Sequence, residues 1–528
     1  MKIPKPFDAA AARLMALTGW RANLFDLLLG ALVPLALPPS AFWPLILIIF
    51  PALLCRLVAA ENWRAAVMTG WLFGFGQFFF GLYWIGSAFM VEAEMFLWAL
   101  PFAVTLLPAG LALFPLLAAL LFYLLTRYLP LCRRDMAAAA LMLIICLSVA
   151  AWLRGHVLTG FPWGLYGMAS LGWMPLAQAA HYWGIYGQTV MILLLAFLPL
   201  LAAVDRRLGR GLALVFLVLV VDGYLKLNQA DQPPLASPAA DAPVGVRIVQ
   251  PAIPQREKWR PQNRTRVIEA HLNLTRQLAE APVHIVVWPE TALPALLDSD
   301  DWLRGQIAAA LPQQSVLVTG ALRRQEADET ERGYHSFNSV FVMDHQGAIT
   351  AGYDKHHLVP FGEYLPMQQL LEKIGLQQLT RLRGGFSAGQ QPRTLSLPRN
   401  LPTFSPLVCY EVIFPSEVVA NPRPAFIVNV TNDGWFGRSA GPWQHLAQAR
   451  MRSIEQGLPM IRAANTGVSA VIDAYGQVQA QLPLMAAGVI DHMLPPARPP
   501  GLYARYGDLG FLLMLAVLLG LIACRPKG

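Results

Sequence analysis

Residues 136–152 read MAAAALMLIICLSVAAW, a run without a single charge. Similar apolar runs recur at about 24–39, 42–59, 65–89, 97–125, 179–204, 212–227 and 509–524. Lipid offers no partner to an unpaired backbone N–H or C=O, so such runs cross as helices, each needing ~20 apolar residues in a range of ~17–25. The pattern predicts a polytopic α-helical membrane domain of eight transmembrane helices. The 212–227 run is the weakest, being short and carrying Asp222. Charged residues make up only 14% of the chain, against about 25% in soluble domains.

The basic residues set the orientation. Lys2, Lys5, Arg13 and Arg21 precede or open the first run; Arg56, Arg64, Arg127, Arg133, Arg134, Arg206, Arg207 and Arg210 close or follow even-numbered ones; Arg525 and Lys527 lie in the C-terminal tail. The opposite connectors hold essentially Arg154 alone. Cytoplasmic loops retain Lys and Arg, so both termini are expected inside and residues 228–508 outside. A net charge of +8 spent on short connectors, with no basic surface interleaved with aromatics, excludes a nucleic-acid partner. The first run has a basic flank but no small-residue cleavage site after it, and is read as a retained anchor. Tyr83, Trp84 and Trp152 suit an interfacial belt. Gln77 and Asp222 suit helix packing, and GWLFG (70–74) a close helix contact.

The pattern changes at NQADQPPLASPAADAP (228–243), a Pro/Ala-rich linker. Beyond it, VGVRIVQPAI, VHIVVWPE, SVLVTGAL, FNSVFVMD, PLVCYEVIF, AFIVNVTND and GVSAVIDAYGQVQA are β-branched runs bounded by turn residues. Helical patterns at 261–280, 298–311, 363–375 and 442–457 separate several of them, which indicates an α/β domain. The expected division is 1–227 for helices one to seven, 228–243 for the linker, 244–500 for an extracytoplasmic catalytic domain, and 501–528 for the eighth helix and a cytoplasmic tail.

Three segments of that domain carry a reactive group beside turn chemistry: Glu290 in VVWPETALP, Lys355 and Glu363 in YDKHHLVPFGEYLP, and Cys409 in VCYEVIFP. Open α/β sheets present ligands at strand carboxyl ends, where these groups can converge. A carboxylate within reach of a thiol can take its proton, and a Lys ammonium can stabilise the oxyanion formed on attack at a carbonyl. That set suffices for acyl transfer through a thioester. Of the chain's five cysteines only Cys409 lies in this domain, and no CxxC or Cys/His ligand spacing occurs, so neither disulfides nor a metal site is expected. No cofactor is expected either.

In that order, the Glu of WPET, the Lys of YDKHHLVPFGEYLP and the Cys of CYEVIFP resemble the Glu–Lys–Cys triad of the nitrilase superfamily. With the eight flanking spans, the chain resembles the bacterial apolipoprotein N-acyltransferases. The likeness extends to GFPWG (160–164), IPQREKW (253–259), NVTNDGWFG (429–437) and RAANTGVSAVID (462–473). It implies a nitrilase-like αββα sandwich on the periplasmic side of the bacterial inner membrane. It also implies Glu290 as general base, Lys355 as oxyanion stabiliser and Cys409 as nucleophile, with Glu363, Glu411, Tyr410, Trp259 and Asn338 supporting or touching substrate. The implied donor is the sn-1 chain of a phospholipid, typically phosphatidylethanolamine, and the acceptor the amine of a diacylglyceryl-cysteine apolipoprotein, handled by a monomer.

Blander readings compete. An isolated strand cysteine is usually a small buried hydrophobe, and Glu290 alone is a strand-end cap. GFSAG (385–389) fits G-x-S-x-G but has loop on both sides, so Ser387 reads as a flexible loop residue. His356 and His357 read as packing or hydrogen-bonding residues, and His445 as structural. A membrane-tethered nitrilase-like amidase using water, or a transporter with a binding domain, remain the alternatives. Residues 293–304 and 359–386 look amphipathic enough to be lipid-touching arms.

Overall fold

The computed structural model describes residues 5–129, 132, 135–229, 243–328, 333–373, 378–380 and 385–525. The linker expected at 228–243 lies almost wholly outside them. The chain divides into two compact units, one of residues 1–86, 99–229 and 500–528, the other of 87–98 and 230–499.

Helices Met136–His156, Ala180–Val204 and Arg206–Leu227 of the first unit are long and apolar enough to cross a membrane, as is the composite Ala93–Tyr128. Trp63–Gly81 and Tyr83–Val91 make a fifth candidate if taken as one span bent by 50°. The other three runs fold shorter. Gly19–Ala31 and Leu509–Ala523 span 13 and 15 residues, and Trp43–Val58 is likewise short. At 1.5 Å per residue a 13-residue helix reaches about 20 Å. The first run is cut by prolines at 34, 38 and 39.

Three of the polar side chains among these helices, Asp26, Asp222 and Gln77, are paired. Asp26 accepts from Arg56 Nε at 2.9 Å and Thr69 Oγ1 at 2.8 Å. Asp222 accepts from Lys226 and Tyr182, and Gln77 from Tyr166. Gly70 and Gly74 have no space for a Cβ against Ala119, Pro115 and Ala112, the close helix contact expected of GWLFG. Trp84 departs from expectation: it is buried and packs on Trp163 rather than facing an interface.

The second unit holds two sheets. The first, in the order β11-β1-β2-β3-β4-β5, is built from β1 Gly245–Gln250, β2 Ile285–Trp288, β3 Val316–Glu326, β4 Tyr334–Met343, β5 Ile349–Asp354 and β11 Gly488–Met493. The second, in the order β10-β9-β8-β7-β6, is built from β6 Phe404–Val408, β7 Phe426–Thr431, β8 Met460–Ala464, β9 Ala470–Ile472 and β10 Val478–Gln481. Strands β1, β2 and β3 run parallel, as do β6, β7 and β8.

Alternation along each strand builds the layers, because successive side chains point to opposite faces. Val246, Ile248, Ile285, Val287, Val316 and Val318 meet Phe404, Val408, Phe426, Val428 and Ile461 in one core between the sheets. The other parity of the first sheet, Val249, Val286, Trp288 and Leu317, packs on helices Arg264–Thr275 and Asp301–Ala310. Helix Gly441–Gln456 contacts β8 of the second sheet. Both faces of the parallel strands are therefore buried, which is why these runs read as continuous hydrophobics.

Two expected elements differ. The 363–375 helix forms only from Gln368 to Lys373 among the described residues, after Pro366 and a left-handed Met367. Leu293, Leu297 and Leu303 enter the domain core, so most of the apolar side of 293–304 is spent there, with Trp302 left exposed.

Candidate active site

Three strand ends bring the reactive residues together. Strand β2 stops at Pro289, which has no N–H to continue the ladder. The chain turns at Glu290 and Thr291, the latter left-handed with φ 41°. The turn passes over Gly320 of β3 so closely that a Cβ there would lie 2.5 Å from Glu290 Cα. Glycine is required at that position.

Lys355 follows β5, which runs in the same sense as β3 because β4 is antiparallel to both. Its backbone is fixed by Lys355 N donating to Asn338 O at 2.8 Å and Gly389 N donating to Lys355 O at 2.7 Å. The side chain is 1% exposed, and Nζ lies 2.8 Å from Glu363 Oε2.

The run around Cys409 is not all strand. Strand β6 ends at Val408, and Cys409 opens a 3₁₀ turn, Cys409–Ile413, in the left-handed region with φ 50°. A non-glycine residue there is strained, and such strain persists where surrounding structure holds it. Glu411 does the holding. It accepts from Val408 N at 2.7 Å, Tyr353 hydroxyl at 2.7 Å, His356 N at 2.7 Å and His357 N at 3.2 Å. The carboxylate two residues after the thiol thus ties the cysteine turn to the lysine strand.

Asn338 of β4 links the acids: Nδ2 donates to Glu290 Oε1 at 2.7 Å and Glu363 Oε1 at 3.0 Å. Glu290, Asn338, Glu363 and Lys355 form one bonded chain, and the Glu290 and Lys355 charges both act on Cys409. Tyr410 packs on Phe414 and His357. Trp259 is 44% exposed beside Lys258.

Burial dominates the electrostatics. It raises the Glu290 carboxyl above its ordinary range, against the pull of Lys355. It pushes the Cys409 thiol up as well, with the Glu290 charge adding and Lys355 opposing. Burial alone would discharge Lys355, but Glu363 and Glu290 outweigh it and hold the ammonium above its usual range. Cys409 is thus a neutral thiol acted on by a carboxyl whose proton affinity burial has raised and by a lysine held in its charged form.

A second set of buried charges adjoins Cys409; of its members only His445 was expected, as a structural residue. Asp433 accepts from Arg462 Nη2 at 2.8 Å and pairs with His445 Nδ1 at 2.8 Å, while His445 Nε2 lies 3.1 Å from Cys409 O. Arg462 also bonds Asn429. Charges inside apolar strand patterns, as in VTND and MIRAA, were the available signal. Cys409, Asp433 and His445 offer three donors within 4.8 Å of one another. Asp433 and His445 are already committed to Arg462 and the cysteine backbone, so a metal would have to compete with a fixed guanidinium. Ser387 accepts or donates at 2.9 Å to His335 Nδ1, and its N–H bonds Ser336 O, so the GFSAG loop is tied down rather than loose. His357 pairs with Glu417 and stacks on Phe414, the packing role expected of it.

Fold and site define an enzyme of the carbon-nitrogen hydrolase class joined in one chain to an apolar helical unit. Residues 245–498 match the carbon-nitrogen hydrolase family and 29–221 the apolipoprotein N-acyltransferase N-terminal domain. The chain is 42% identical to the apolipoprotein N-acyltransferase of Rhodopseudomonas palustris, over 97% of this chain and 96% of that one. It is 41% identical to that of Bradyrhizobium diazoefficiens, over 95% of each, and 38% to that of Brucella suis, over 96% of each. A solved amidase from Nesterenkonia aligns with 50% of this chain and 93% of its own at 18% identity and TM-score 0.35. The chain belongs to the apolipoprotein N-acyltransferase family, and it is a membrane protein.

Proposed function

We propose that this chain moves the sn-1 acyl chain of a phospholipid, phosphatidylethanolamine in the first instance, to the N-terminal amine of diacylglyceryl-cysteine apolipoproteins. Glu290 takes the Cys409 proton as the sulfur attacks the ester carbonyl. Lys355 stabilises the oxyanion. Collapse breaks the C–O bond, and the departing lysophospholipid alkoxide recovers the proton from Glu290, leaving a thioester. The acceptor amine then attacks, gives its proton through Glu290 to the leaving sulfur, and departs as an amide. Asn338 and Glu363 hold the base and the cation in register, Glu411 and Tyr410 hold the cysteine turn, and Trp259 meets substrate.

One observation carries the reading: a left-handed, buried cysteine acted on by both a carboxylate of raised pKa and a lysine kept charged. A base poised nearer neutrality serves better in proton transfer, and a dry site protects a thioester from water. Both substrates are lipid-anchored, so the chemistry belongs at the outer leaflet of the bacterial inner membrane. We assign eight spans, with 1–227 and 501–528 in and around the bilayer, 228–243 as linker and 244–500 periplasmic. The basic connectors support that orientation. One chain contains every group invoked, which supports a monomer.

Incubation with phosphatidylethanolamine alone is expected to add one acyl group to the peptide containing Cys409, and Cys409→Ala to abolish both adduct and turnover. Turnover by Cys409→Ala, or fatty acid release unaffected by acceptor lipopeptide, rejects the proposal.

A further inference from the structure

A buried lysine sits behind the Glu290 turn, and the acyl-transfer scheme gives it no task. Lys258 closes the short helix Gln255–Lys258 and is 1% exposed. Its Nζ donates to the main-chain oxygen of Glu290 at 3.1 Å and to Thr291 Oγ1 at 3.3 Å. Both acceptors are neutral. Burying an ammonium is costly, and a smaller neutral donor would satisfy a carbonyl and a hydroxyl at less expense. The charge itself therefore calls for an explanation.

The turn it grips is the one that aims the base. Thr291 is left-handed, and Gly320 leaves no slack beneath Glu290. The groups acting on the Glu290 carboxyl are Lys355 after β5, Glu363, the neutral Asn338 of β4 and Lys258 itself, with the Cys409 thiol close by. Those acting on Lys258 are Glu290 and, from helix Arg264–Thr275, His271. Burial drives His271 down to about 3, so it is neutral and does not compete as a cation. Burial also draws Lys258 down to about 8, with Glu290 resisting, which leaves it mostly charged at neutral pH.

We propose that Lys258 is a positioning residue: it clamps the turn that carries Glu290 and supplies a concealed positive charge that keeps this carboxylate ionised and ready to accept the thiol proton. The inference rests on the reading of Glu290 as base, and the experiment separates the two. In the full-length protein in detergent, the rate of Cys409 alkylation by iodoacetamide is followed from about pH 4 to pH 9, beside kcat/KM for acyl transfer. The acid limb of such a profile reports the base of the free enzyme.

Removing a nearby cation raises a carboxyl pKa, so the limb in Lys258→Met moves to higher pH by roughly half a unit to one unit. Lys258→Arg keeps the charge and keeps the limb in place. A purely structural lysine would lower stability or amplitude without moving the limb. A limb displaced by less than about 0.2 of a unit in Lys258→Met, yet lost in Glu290→Gln, overturns the role of Lys258 alone. A limb that survives Glu290→Gln overturns the base and Lys258 together. Lys258→Gln keeps a donor for both oxygens without the charge and is read the same way, so a Met variant that fails to purify leaves the comparison intact.

Discussion

Asp433 carries more of the site's integrity than its place at the start of a short 3₁₀ turn, Asp433–Trp435, suggests. Arg462 and His445 hold its carboxyl down to about 2, overcoming the burial that opposes ionisation. An unfolded Asp titrates near 4, so the stability this residue contributes is complete above that pH and lost as pH falls towards 2. Asp433→Asn leaves Arg462 buried without its counter-charge, a change that typically costs about 3–5 kcal/mol. The variant is expected to unfold about 3 kcal/mol more easily at neutral pH in a urea titration, with the difference from the parent shrinking below about pH 4. Equal stability at pH 7 would show the network to be idle. Glu290, Lys355 and Cys409 were visible in the sequence because each sits in a motif with turn residues around it. Asp433 and Arg462 stood out only as charges within apolar patterns; their pairing with each other and with His445 across three separate elements is what no local pattern displays. Glu411 lies between these cases: visible beside Cys409, yet its four donors come from β6, Tyr353 and the segment at 356–357.

Among elements, the β2–β3 contact is the one on which the proposed base, Glu290, depends. Gly320→Ala would bring a methyl within 2.6 Å of Pro289 O and Thr291 N, all of it unyielding backbone. The Glu290 turn must then lift off the sheet. A displacement of about 1 Å in a catalytic group can cost roughly a hundredfold, and a fall in kcat of that order is expected while the far-UV circular dichroism spectrum is retained. Activity within about twofold of the parent would show that the turn can relax. The cysteine element makes the complementary point. PLVCYEVIF has strand composition throughout, but propensity is overridden where Glu411 caps Val408 and turns the chain at Cys409. The strands in VGVRIVQ and VHIVVW, by contrast, were legible as β-branched runs, continuous in hydrophobicity because both faces of these parallel strands are buried.

For the molecule as a whole, topology is the open quantity. If both ends are cytoplasmic and 244–500 is periplasmic, alkaline phosphatase fused within 228–243 is expected to be active and the same fusion after residue 525 inactive. The reverse pattern would remove the Arg206–Leu227 helix from the count of spans. Helices Gly19–Ala31 and Leu509–Ala523 are short for a bilayer, and a short hydrophobic stretch is accommodated by thinning or by flanking residues at modest cost.

Residue order alone determined that much of this chain lies in lipid and that an α/β domain interrupts it, since hydropathy and side-chain period are local properties. It also singled out Glu290, Lys355 and Cys409 as candidates to bear the reactive groups. Tertiary structure decided the rest: the left-handed backbone at Cys409, the tie between Glu411 and the lysine strand, the charges beneath the thiol, and the cation behind Glu290. The reason is physical. Proton affinity and backbone strain depend on burial and on neighbours brought from as far as residue 258 and residue 462, and those contacts exist only once both sheets have closed.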